Sequence, residues 1–143
     1  MQKKTYVTKK SDITIGWRVI DGQDKILGRL AAEIVVILLG KDKSYYVKNM
    51  VCGDKVVIIN ASGIKVTGNK VEDKVYVRHS GYMGGLKKET YGDLEKRRPG
   101  EVLRKAVAGM LPRNTLRKNL IANLYIYQGA EHPHHGQVSQ KGI

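Results

Sequence analysis

Cysteine is nearly absent from this chain: Cys52 is the only one among 143 residues. A lone thiol forms no internal disulfide, which points to a reducing compartment, and Cys52 reads as a small buried hydrophobe. Long apolar runs are missing as well. The longest, residues 34–39, falls far short of the ~20 residues a membrane-spanning helix needs. The lysines near the N-terminus have no apolar stretch behind them, so no secretory signal is expected, and no C-terminal cysteine offers itself for lipidation. Acids are the third scarcity, with 13 Asp+Glu against 26 Lys+Arg and a net charge of +13. Such an excess repels itself unless a polyanion is near. With membrane signals lacking, nucleic acid is the expected polyanion.

What is present suits one folded domain. The length matches a single core, and 41% hydrophobic residues are enough to fill it and too many for a disordered chain. The positive charge is concentrated. Residues 96–118 hold Lys96, Arg97, Arg98, Arg104, Lys105, Arg113, Arg117 and Lys118 against the single acid Glu101. A solvated helix face ordinarily interleaves both signs; this stretch has almost no acids to pair with, so it reads as a polyanion site.

The hydrophobic pattern predicts an α/β domain. Residues 1–15 are polar and read as an extended arm, and 17–20 as a short strand ended by Asp21-Gly22. Residues 26–39 predict a largely buried helix stopped by Gly40, with Arg29 and Glu33 on its one polar face. The β-branched run 55–60 fits a strand covered on both faces, and 74–79 alternates like a strand with one polar face. Helices are expected over 101–111, stopped by Pro112, and over 115–122, with a last strand over 124–127. This order favours a layered α/β single domain around a mainly parallel sheet of about four strands. The expected divisions are an arm at 1–15, an RNA-binding domain at 16–128 and a tail at 129–143.

Most motifs for chemistry fail on inspection. Residues 63–70 approach a phosphate loop, but Asn69 stands where it needs Lys and Lys70 where it needs the magnesium-binding hydroxyl. Gly22 and Gly28 lack the dinucleotide spacing. His132, His134 and His135 have too few companions for a zinc site. His79 and Ser80 are neighbours in an extended segment and so point apart, which makes a poor base and nucleophile. No metal, cofactor or catalytic group is expected. Two segments are richer. In 78–88, Arg78, Lys87 and Lys88 can neutralise phosphates, Tyr82 can stack on a base, and three glycines allow close approach. In 40–48, Lys41, Lys43 and Tyr45 offer the same mixture.

Several of these pieces, in their order, resemble the large-subunit ribosomal protein thirteen family, bacterial or organellar type, over about residues 16–138. They are Leu27-Gly28-Arg29-Leu30-Ala31; Gly53-Asp54 running into Val57-Ile58-Ile59-Asn60-Ala61; Val66-Thr67-Gly68-Asn69-Lys70; Arg78-His79-Ser80-Gly81-Tyr82 with Gly84-Gly85; Ala106-Val107 through Gly109-Met110-Leu111-Pro112; Tyr127; and Glu131-His132-Pro133-His134. Asp42, Ser44, Met83 and Arg117 depart from the family's usual His, Pro, Pro and Gly. The resemblance implies a three-layer α/β/α domain around a parallel sheet, and a structural, non-enzymatic protein that binds large-subunit ribosomal RNA early in subunit assembly, beside other ribosomal proteins. It implies a cytoplasmic setting, or an organelle matrix or stroma, and no free homo-oligomer. The RNA contacts it implies are Lys41, Lys43, Tyr45, Arg78, His79, Tyr82, Arg113, Asn114, His132 and His134. The basic pattern adds Lys70, Lys87, Lys88, Arg98, Arg117 and Lys118. A messenger-RNA regulator needs the same surface, and an enzyme on RNA or nucleotide would need a clustered acid, base or metal site.

Overall fold

The computed structural model describes residues 5–138. Lys3, Lys4 and Lys141, counted with the arm and tail, lie outside them. Strand β1 (Trp17–Asp21) leads to helix α1 (Leu27–Leu39), and strand β2 (Lys55–Ile59) follows. The middle of the chain holds the one-turn helix α2 (Lys70–Asp73), strands β3 (Val75–His79) and β4 (Leu86–Thr90), and helix α3 (Tyr91–Arg97). Helices α4 (Glu101–Met110) and α5 (Arg117–Ala122) lead into strand β5 (Leu124–Ile126).

The expected α/β class and parallel sheet are present. β1, β2 and β5 form a parallel sheet in the order β1-β2-β5. This sheet has three strands rather than about four, because β3 pairs antiparallel with β4 in a separate hairpin. Residues 86–90, taken with the preceding loop in the sequence reading, are therefore strand. Their composition, Leu-Lys-Lys-Glu-Thr, hides the alternation that betrays a strand with a buried face.

The strand order also decides where the layers sit. Strands added in one direction by right-handed crossovers place their connecting helices on one face. Ile20, Val56, Ile58 and Leu124 alternate onto that face and join α1 and α4 in the core, with Ile34, Leu38, Leu103 and Val107 almost wholly buried. Each such side chain contributes about 1.5–3 kcal/mol by leaving water. Val57 points to the other face and is also fully buried. The cover there is aromatic: Trp17 stacks on Tyr125 at 5.4 Å, and His134 packs against both at 4.8 and 4.7 Å. The third layer is thus built by the segment after β5 rather than by a helix, and His134 belongs to the packing of the domain.

Two glycines let α1 meet the chain that returns to β2. Gly40 ends the helix in the left-handed conformation (φ 75°), its N–H reaching the Val36 and Ile37 carbonyls at 3.0 Å. Gly53 passes so close that a Cβ would lie 1.8 Å from the Leu38 carbonyl oxygen. Between them Cys52 is fully buried, as its composition suggested.

Candidate nucleic-acid interface

The β3–β4 hairpin displays the first group of candidate residues. Register places Arg78 opposite Lys87, Val77 opposite Lys88 and His79 opposite Leu86. Arg78 and Lys87 therefore share one face, while His79 and Lys88 are on the other. Like charges facing each other across a ladder destabilise it unless an anion lies between. At the tip, Gly81 and Gly84 take positive φ (88° and 68°), and the His79 ring Nδ1 accepts from the Gly81 N–H at 2.9 Å. The turn leaves Tyr82 80% exposed and Met83 fully exposed. The base of the hairpin is fixed: Arg97 donates twice to Glu89, at 2.7 and 2.6 Å, holding that carboxyl below its usual pKa.

The second group lies between α4 and α5. Arg113, Asn114 and Lys118 are exposed. The Asn114 side chain accepts from the Arg117 N–H at 3.1 Å and so shapes the start of α5. Arg117 is half-buried, with its Nε enclosed and without a partner, which makes it less available than its neighbours. Lys41 and Lys48 line the same cleft as Asn114, over a floor that includes Met110 and Leu116. The fold thereby brings the 41–48 loop and the 113–118 stretch together, 70 residues apart in sequence.

Lys43 and Tyr45 are placed differently from that expectation. The Lys43 ammonium is only 13% exposed and pairs with the buried Asp54 carboxylate. It also donates to the Thr14 carbonyl at 2.7 Å, an acceptor shared with the Tyr45 hydroxyl at 3.0 Å. Asp54 accepts further from the Gly16 N–H at 2.8 Å and Arg18 Nε at 2.9 Å. Burial alone would raise the Asp54 pKa; the bonds from Lys43 and Gly16 and the Lys43 and Arg18 charges outweigh it and hold the carboxyl low. Arg18 is held in turn by Asp42, one of the departures from the family pattern. Lys43 and Tyr45 thus tie the N-terminal segment to the domain, so Lys43 adds little free charge to the surface.

His132 and His134 are likewise engaged. The His134 Nε2 lies 3.0 Å from the Tyr127 hydroxyl, and its backbone N–H donates to His132 Nδ1 at 3.2 Å. Burial, then the neighbouring His135 and His134, push the His132 pKa down. No group of three or more His, Cys, Asp or Glu suited to a metal ion occurs among the described residues. Arg98 is exposed at the end of α3. Lys70 opens α2, its Nζ 3.2 Å from the Thr67 hydroxyl. Acids elsewhere engage Arg18, Lys25, Lys43, Lys65 and Arg97. Lys41, Lys70, Arg78, Lys87, Lys88, Arg98, Arg113 and Lys118 form no ion pair among the described residues, so their charge is open to an outside anion.

A basic ribbon with an aromatic tip and a basic interhelical loop suit RNA, and the family model described as ribosomal protein L13 matches residues 15–133. The chain belongs to the ribosomal protein L13 family. A protein of Dehalococcoides mccartyi strain BAV1, named large ribosomal subunit protein uL13, is 51% identical over 97% of this chain and 95% of its own length. The Geobacter sulfurreducens protein of the same name is 45% identical over 94% of each. That of Variovorax paradoxus is 48% identical over 94% of each. The resemblance drawn from the motifs therefore holds for nearly the whole chain.

The geometry also groups basic residues, Arg29, Lys74 and Lys105, that are not among the expected RNA contacts. They line one cleft together with Lys70. Two signals could have found part of this group: Lys70 and Lys74 are four apart on a helical turn, and Arg29 is the polar residue of the Leu27-Gly28-Arg29 motif.

Proposed function

We propose that this protein is a structural constituent of the large ribosomal subunit that binds and organises large-subunit ribosomal RNA during early assembly, in contact with neighbouring ribosomal proteins. Membership of the ribosomal protein L13 family over nearly the whole chain supports the ribosomal role, and such a protein contributes structure rather than catalysis. The observation that carries the RNA reading is the hairpin: Arg78 and Lys87 face each other with no acid partner beside an 80% exposed Tyr82. Lysine and arginine supply affinity by releasing counterions from phosphates, and tyrosine adds stacking on unpaired bases. Arg113, Asn114, Lys118 and Lys41 form a second contact region; Arg98, Lys88 and His79 extend the charged surface. The bacterial relatives fit a cytoplasmic ribosome, and no helix among the described residues is long and apolar enough to cross a membrane.

The test is binding to transcribed large-subunit rRNA across a salt series, with sucrose-gradient sedimentation of cell extracts. Tight, salt-sensitive binding and migration with large subunits are expected. Weak, salt-independent binding would overturn the RNA reading, and migration with messenger RNA away from subunits would favour a regulator.

A further inference from the structure

We infer that the cleft between the first turn of α1, α2 and α4 seats one unstacked nucleotide of the bound RNA. The inference rests on the RNA-binding reading and names a site within it. The cleft has a volume of about 790 Å³, inside the usual range of small-ligand sites. Its apolar surface comes from Leu27, Val66 and Met110, while Arg29, Lys70, Lys74 and Lys105 surround it. Asp73 is the one acid among the lining residues. An apolar slot ringed by cations matches a nucleotide, whose flat base leaves water while its phosphates stay paired.

A second observation concerns glycine. Gly28 on α1 and Gly109 on α4 both line the cleft, and a Cβ at either would meet nothing within 4 Å. Glycine weakens a helix. No packing neighbour requires it at these two places, and both positions leave room for an occupant at the cleft mouth. The cations are partly steadied from behind: Lys105 Nζ lies 4.8 Å and Lys74 Nζ 5.5 Å from the centre of the Tyr76 ring. Three of the separated motifs noted in the sequence, around Gly28, Lys70 and Gly109, converge here. The occupant is an RNA nucleotide rather than a free one because the chain's charge suits a polyanion, and residues 63–70 lack the magnesium-binding hydroxyl of a triphosphate loop.

The experiment crosslinks the full-length protein to transcribed large-subunit rRNA carrying 4-thiouridine, maps the attached peptides by mass spectrometry, and compares Gly109→Leu with Gly109→Ala. The leucine fills the cleft without changing charge; alanine keeps it open and controls for helix effects. Crosslinks in peptides containing Val66–Lys70 or Lys105–Met110 are expected in the wild type and in Gly109→Ala. In Gly109→Leu they should fall, and affinity should drop roughly tenfold, the scale of one lost base contact, with an unaltered salt slope. Wild-type binding to rRNA without these crosslinks, or equal crosslinking in Gly109→Leu, would overturn the cleft while leaving the RNA reading intact. Absence of any rRNA binding would overturn both. Titration with AMP and UMP is the remaining arm: saturation of the cleft by either, undiminished by rRNA, would overturn RNA as the occupant.

Discussion

The Lys43 ammonium is paired with the buried Asp54 carboxylate, eleven residues further along the chain, and this contact joins the arm, the 41–48 loop and the entry to β2. Removing one partner leaves the other charge buried and unpaired. Asp54→Asn is therefore expected to lower stability by about 3 kcal/mol, measured by urea unfolding. Lys43→Ala should act mainly on stability and leave the salt slope of RNA binding near wild type, whereas Lys87→Ala should do the reverse.

The same carboxylate sets an acid limit. The folded pKa of Asp54 is depressed, so its contribution is fully present above the unfolded carboxylate value near ~3.9 and is lost as pH falls through the lower folded value. Unfolding free energy followed from pH 6 to pH 2 should drop in this window. Asp54→Asn should show a shallower drop from a lower plateau; an identical slope would remove Asp54 from the account.

The RNA reading predicts distinct effects for charge and for stacking. Replacing Arg113, Arg117 and Lys118 together by alanine should lower rRNA affinity and flatten its salt dependence, with each lost phosphate contact reducing the log–log slope by about 0.7–0.9. Tyr82→Ala should cost about 1–3 kcal/mol of binding and leave the slope unchanged. Arg117 should contribute least of the three cations, because its Nε is enclosed.

The aromatic cover of the sheet has its own reporter, since Trp17 is the only tryptophan. His134→Ala removes the ring packed 4.8 Å from it and is expected to shift its fluorescence toward the red and cost about 1–2 kcal/mol. An unchanged spectrum would mean that His134 does not shield Trp17 in solution.

Two glycines should respond oppositely. Gly53→Ala forces a Cβ onto the Leu38 carbonyl and is expected to cost about 3 kcal/mol or more. Gly109→Ala has open space and a helical position, so it should raise stability by about 0.5–1 kcal/mol. Thermal unfolding of the two variants separates them.

Much of the fold was legible because its core elements carry strong patterns. The apolar face of α1 with Gly40 behind it, and the β-branched run of β2, lead directly to a helix and a buried parallel strand. β4 was not legible: a two-stranded hairpin with both faces largely exposed needs no apolar alternation, and Leu86-Lys87-Lys88 looks like charged loop. α3 was missed for a similar reason, with Gly92 and four charged residues masking Tyr91 and Leu94, which it buries. At the site, the exposure of Arg78, Tyr82 and Lys87 followed from composition. The inward turn of Lys43 did not, because nothing local singles out Asp54 as its partner. The grouping of Arg29, Lys70 and Lys105 depends on how α1, α2 and α4 pack.

The aromatic cover on the far face of the sheet needs His134, which follows every strand of that sheet in sequence. While the protein is being synthesised, β1 and β2 can pair and α1 can dock, but the aromatic cover formed by Trp17, Tyr125 and His134 is incomplete until His134 has emerged. Closure of this face thus comes later in synthesis than the docking of α1 on the opposite one.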